Sequence, residues 1–167
     1  MKPDARGGAL LGSHNPPGTL AGLVAPAEEV AAGSHERVPT LIADDSAVCR
    51  RAAVLLLARL PQVEMVGAAE DGVDALALVA STRPDLVLMD LQMPRLNGLQ
   101  ATRKIRAEFP GVRVIMTSFN DSEEWKAASF ASGVDRFIPK ECLRDELPGA
   151  IAQLFSGRAV GAEGEPS

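Results

Sequence analysis

Asp85-Leu86-Val87-Leu88-Met89-Asp90-Leu91-Gln92-Met93-Pro94-Arg95-Leu96-Asn97-Gly98 decides how this chain is read. Leu86 to Met89 is a short continuous apolar run, the mark of a strand buried on both faces of a parallel sheet. It stops at an acid, Asp90, and turn residues follow in Pro94, Asn97 and Gly98. In an open parallel sheet, ligands bind in the crevice beyond the carboxyl ends of the strands. A carboxylate there stands at the reactive edge of the molecule. A lone Asp at a strand end is ordinarily a solvated terminus, so the question is whether other segments bring partners to Asp90.

Outward from this stretch, apolar runs alternate with helical patterns. Val38 to Ala43 runs into Asp44-Asp45-Ser46, and a helix follows to about Leu60, where Pro61 stops it. Its expected core stripe is Val48, Ala52, Leu55 and Leu56. Val63 to Ala68 reads as a second strand with Glu70-Asp71-Gly72 as its turn. Val73, Leu76, Ala77 and Ala80 line the next helix, which ends before Pro84. After the opening strand, Leu99, Thr102, Ile105 and Arg106 fall at helical spacing between about Gly98 and Glu108, and Pro110-Gly111 closes that helix. Val112 to Thr117 is a fourth strand. Asn120 to Glu124 carries the polar cap and acidic first turn of a helix, and Gly133 suits its left-handed end. Arg136 to Ile138 is a fifth strand, closed by Pro139-Lys140. The last helix spans about Cys142 to Phe155, with Leu143, Leu147, Ile151 and Leu154 on one side. Pro148 is placed to bend it or split off its first turn. Five strands alternating with five helices imply right-handed crossovers, one parallel sheet and helices on both faces, an α/β doubly wound fold.

The 167 residues allow one domain with tails. Residues 1–37, rich in Gly, Pro, Ala and Ser without a sustained period, read as a disordered tail with at most a transient helix over Leu20 to Val30. The folded domain is expected over 38–156 and a short flexible tail over 157–167. A net charge of −5 and a pI near 5.1 speak against nucleic-acid contact. No run approaches the roughly 18 apolar residues of a membrane span, and the N-terminus lacks a signal-peptide core. Cys49 and Cys142 stand far apart without metal spacing, the usage of a reducing cytoplasm. His14 and His35 have no ligand-type neighbours. A cytoplasmic protein without membrane or nucleic-acid contact is the expectation.

The strand ends converge in such a fold. Strand one delivers Asp44 and Asp45, strand three Asp90, strand four Thr117 and Ser118, and strand five Lys140. Singly, each has a plain explanation: the Asp pair caps a helix, Thr117 is a strand former and Lys140 a solvated lysine. Together, each immediately past a buried strand, they describe a site. Three crowded carboxylates require a cation, and an oxygen-only set suits a hard ion such as Mg²⁺. A carboxylate can attack phosphorus and form an acyl phosphate. Lys140 can pair with that carboxylate at rest and with a phosphoryl oxygen afterwards, while Thr117 can donate to another.

In this order and spacing the motifs resemble a response-regulator receiver domain of two-component signalling, over about Val38 to Phe155. The matching runs are Ile42 to Ser46, Leu88 to Pro94, Asn97-Gly98, Val114 to Ser118 and Phe137 to Lys140. The resemblance implies a flavodoxin-like sheet of strand order 2-1-3-4-5. It implies that Asp90 accepts a phosphoryl group from a histidine kinase or histidine phosphotransfer protein. Asp45, Asp44 partly through water, Asp90 and the backbone carbonyl of Gln92 would hold Mg²⁺. Thr117 and Lys140 would contact the phosphoryl group, and Phe137 would be the aromatic switch. Two departures stand out. Many receivers have a cis-bonded Pro after the lysine, where this chain has Glu141, and Phe137 lacks a tyrosine's hydroxyl.

A phosphoryl group adds roughly −1.5 to −2 charges and three acceptor oxygens. Thr117 would move toward it and Phe137 into the vacated space, coupling the site to the face of the fourth helix, fifth strand and fifth helix. Trp125 is a candidate partner anchor there, its alternative being a half-buried packing residue, and Phe119 would move with its loop. Gln92 is also placed to influence the lifetime of the phosphorylated state. Only about a dozen residues follow Phe155, so the expected output is contact with a downstream protein target or relay partner, a separately encoded effector being the alternative. A haloacid-dehalogenase-type phosphatase is disfavoured by Gln92, where those enzymes place a second Asp. A mononucleotide-binding domain is disfavoured by the lack of a Gly-rich loop after strand one. The serious rival is a receiver-like interaction module that works without phosphorylation.

Overall fold

A computed structural model of the chain describes residues 37–158. The expectations for the N-terminal tail, its transient helix and the two histidines lie outside the described residues, as does most of the C-terminal tail.

The five apolar runs form one parallel sheet of β1 (Val38–Ala43), β2 (Val63–Ala69), β3 (Leu86–Asp90), β4 (Arg113–Ser118) and β5 (Arg136–Pro139). Their order is β2-β1-β3-β4-β5, the doubly wound, flavodoxin-like order. β3 takes the centre because all five of its residues are buried. Its side chains alternate between two cores, as the period of two requires. Val87 and Met89 face one core with α2 (Gly72–Thr82), α3 (Gly98–Glu108) and α4 (Glu123–Ser132). Leu86 and Leu88 face the other with α1 (Ala47–Leu57) and α5 (Leu143–Phe155).

Local chemistry starts and stops the helices largely as read. Asn97 and Gln100 form a reciprocal capping box on α3, and Gly133, at φ 103°, ends α4 in the left-handed region. Leu99, Thr102 and Ile105 face the core from α3, and Leu147 and Ile151 from α5. Pro148 leaves α5 unbroken.

Two helix faces differ from expectation. On α1, Val48 is 80% and Leu55 60% exposed and Ala52 is exposed, while Ala53 and Leu57 are buried. On α2, Val73, Ala77 and Ala80 are exposed, and Gly72, Ala75 and Val79 are buried. Leu56 and Leu76 pack part-buried on the cores as expected, but the centre of each buried stripe sits about one residue, about 100°, from the expected one. Ala52 to Leu57 is apolar without a gap, so its period does not fix a phase; docking on the sheet does. α1 also stops at Leu57, and a turn through Leu60 precedes Pro61.

Gly98 opens α3 directly against the end of β3. A Cβ there would stand 2.3 Å from the Asp90 carbonyl oxygen and 2.9 Å from Met116 Sδ. Gly98→Ala is expected to cost about 1–3 kcal/mol by overpacking, read from urea unfolding. An unchanged midpoint would show that this strand end yields freely.

Candidate functional site

Parallel register brings the strand ends level. Ala43 pairs with Met89, Asp90 with Thr117, Thr117 with Ile138 and Ser118 with Pro139. Asp44, Asp90, Thr117 and Lys140 therefore lie at one edge, each within a residue of its strand.

Asp44 is buried and doubly engaged. Its Oδ1 accepts from the Ser46 N–H at 2.9 Å, and its Oδ2 accepts from Lys140 Nζ at 2.7 Å. Lys140 Nζ also stands 3.3 Å from Asp90 Oδ1. Asp45 is exposed on the loop beside them, and Asp44, Asp45 and Asp90 each offer an oxygen within 4.8 Å of the others. Arg50 on α1 donates to the Asp44 backbone carbonyl at 2.7 Å and to Glu70 Oε1 at 3.1 Å. Thr117 is buried, and its hydroxyl is only loosely held by a 3.4 Å bond to the Met89 carbonyl.

Burial pushes the Asp90 carboxyl up to about 7, and the neighbouring Asp44 charge adds to the rise against the pull of Lys140. For Lys140, burial disfavours the ammonium, but the Asp44 hydrogen bond and the Asp90 and Asp44 charges outweigh it and raise its pKa. Lys140 thus stays cationic among the acids. The donor set fits Mg²⁺, being three carboxylates with no nitrogen or sulfur ligand among the clustered groups.

The remaining expected residues lie farther out. Gln92 is exposed next to Leu91, whose N–H donates to the Thr117 carbonyl at 2.9 Å. Phe119 is 66% exposed, its ring centroid 5.0 Å from Lys140 Nζ. Phe137 pairs in register with Met116 and is half-buried against the first core. Trp125 is half-buried against that same core, which agrees with the packing alternative. None of the described peptide bonds is cis, and Lys140 opens a short 3-10 turn to Cys142 that leads into α5. Arg50 and Arg95 tie loops around the site, and local pattern does not single them out because their side-chain partners, Glu70 for Arg50 and Asp71 and Asp74 for Arg95, lie 20 to 24 residues away.

A family model described as the response regulator receiver domain matches residues 40–152. The chain belongs to that family.

This receiver is 32% identical over 126 residues to the transcriptional regulatory protein DegU of Brevibacillus brevis, a match covering 75% of this chain and 53% of DegU. The chain spans about half the length of the curated relatives it matches. Among solved structures it is similar to the signal receiver domain of the putative response regulator NarL from Mycobacterium tuberculosis. That match has 29% identity and a TM-score of 0.68, and covers 75% of this chain and 98% of that one. It is also similar to the receiver domain of the histidine kinase CKI1 from Arabidopsis thaliana, solved in complex with Mg²⁺. Identity there is 27% and the TM-score 0.62, with 70% of this receiver and 91% of that chain covered. No helix among the described residues is long and apolar enough to cross a membrane.

Proposed function

We propose that this receiver takes a phosphoryl group onto Asp90 from a histidine kinase or phosphotransfer protein, with Mg²⁺ bound, and signals through a protein contact. The observation that carries the reading is the buried Asp90 carboxylate, 3.3 Å from Lys140 Nζ and clustered with Asp44 and Asp45. Asp90 supplies the attacking oxygen. An O–P bond forms, and the bond from phosphorus to the donor's imidazole nitrogen, or to acetate in acetyl phosphate, breaks with its electron pair on the leaving group. Lys140 exchanges part of its contact with Asp90 for a phosphoryl oxygen, and the Thr117 hydroxyl, loosely held at Met89, turns to another. Asp44, Asp45, Asp90 and the Gln92 carbonyl would hold Mg²⁺, which neutralises phosphoryl charge and lowers the Asp90 pKa when bound.

Such a chain catalyses only its own phosphorylation and dephosphorylation. The acidic balance of −5 goes with protein partners and not with a nucleic-acid duplex, and the cytoplasm is the compartment proposed for it. Phe137 on β5 and Trp125 on α4, both packed against the first core, are the side chains through which the phosphorylated site would reach a downstream target.

Incubation with acetyl phosphate is expected to add one phosphoryl group per chain with Mg²⁺ present and none with a chelator. Uptake equal in both would remove the metal from the reading. No uptake under either condition would favour the module that works without phosphorylation.

A further inference from the structure

The β3–α3 loop is seated on α2 by a clamp made from residues outside the carboxylate cluster. Its base is closed by the Gly98 N–H donating to the Leu91 carbonyl at 2.8 Å, and Met93 is buried beneath it. At its tip Arg95 stands at φ 64°, a left-handed conformation that persists in a residue with a Cβ only where its surroundings impose it. The Arg95 guanidinium is itself tied down. Its Nε donates to Asp71 Oδ2 at 2.8 Å, and its Nη2 lies 2.6 Å from Asp71 Oδ2 and 2.9 Å from Asp74 Oδ1.

Asp71 is buried and already caps α2, its Oδ1 accepting from the Val73 and Asp74 N–H groups at 2.8 and 2.9 Å. One carboxylate therefore holds the helix start on one oxygen and the loop on the other. Gly72 completes the seat, since a Cβ there would stand 2.1 Å from the Leu96 carbonyl oxygen. An exposed ion pair alone holds little. This one is charge-assisted, has a buried partner and works together with backbone contact.

We propose that Arg95 is a positioning residue for the divalent cation. By seating the loop on α2 before the ion arrives, it holds in place the Gln92 backbone, three residues away, that would serve beside Asp44, Asp45 and Asp90. Released from the clamp, the loop would have to be ordered at the expense of binding, as happens when a residue that orients a metal ligand is removed. The inference rests on the Mg²⁺ reading given above.

The test titrates the full chain with Mg²⁺ by calorimetry, with urea unfolding in chelator as a parallel readout. Arg95→Gly removes the clamp but adopts φ 64° without strain. Its metal-free stability is expected to fall only slightly, relief of the left-handed strain offsetting much of the lost pair, while its Mg²⁺ affinity falls about tenfold. Asp71→Asn keeps the α2 cap and weakens the pair, so its affinity falls by less, and Arg95→Lys recovers part of the loss. Equal affinities for wild type and Arg95→Gly would overturn the proposal. A loss of affinity matched by a loss of stability would also overturn it, since Arg95 would then be merely structural. A wild type that binds no Mg²⁺ would instead overturn the metal reading itself.

Discussion

Asp90→Asn is expected to take up no phosphoryl group from labelled acetyl phosphate in the presence of Mg²⁺. The amide keeps the shape of the side chain and its acceptor for Lys140 but has no nucleophilic oxygen. The neighbouring acids cannot substitute. Both Asp44 oxygens are engaged, by the Ser46 N–H and by Lys140, and Asp45 is exposed on the loop, where water competes with phosphorus. Residues that only position the group should give graded losses. Lys140→Ala and Thr117→Ala are each expected to slow uptake by about 10²-fold, the effect of removing one preorganised donor from a developing anion. Full labelling of Asp90→Asn would transfer the chemistry to another carboxylate.

The second large effect concerns stability, and its direction is opposite to that of an ordinary buried carboxylate in an ion pair. The Asp90 carboxyl is raised from 3.8 to about 7, first by burial and then by Asp44. Between those values the native state holds a proton that the unfolded chain has released. Stability of the metal-free protein therefore falls as pH rises through this window, and above about 7 the fold carries a buried charge beside Asp44. Asn carries no such charge. Asp90→Asn is expected to stabilise the protein in chelator by about 2 kcal/mol at pH 8, after allowance for screening and for the lost attraction to Lys140. The gain should vanish below pH 4. Mg²⁺ should stabilise the wild type by mass action and Asp90→Asn much less. A pH-independent difference in urea unfolding would contradict this account of the site.

The inner strands were legible because they are buried on both faces. Leu86 to Met89 and Val114 to Met116 are apolar without interruption, and each ends in a polar residue that the sheet then places at one edge. The residues at those ends (Asp44, Asp45, Asp90, Thr117 and Lys140) follow from strand boundaries alone, because parallel register aligns them. Helix phase was less legible. Where α3 alternates apolar and charged residues, its buried face was read correctly. Where α1 offers six apolar residues in succession, neighbours outside the helix choose which of them face the core. Arg95 left no local signal. Its partner Asp71 precedes it by 24 residues, and only the packing of α2 beside α3 on one face of the sheet brings the two together. Trp125 illustrates the remaining ambiguity: an aromatic at the start of a helix serves equally as packing or as anchor until burial is known, and here it is half-buried against the core.

The central claim is that Asp90 is the phosphoryl acceptor. Peptide mass analysis tests it most directly, using the full chain treated with acetyl phosphate and Mg²⁺ and then reduced with borohydride, which converts an aspartyl phosphate to homoserine. The account predicts one converted residue per chain, at Asp90, and none when the metal is chelated. Conversion at Asp44, Asp45 or any other carboxylate, or an unconverted chain despite Mg²⁺, would contradict it.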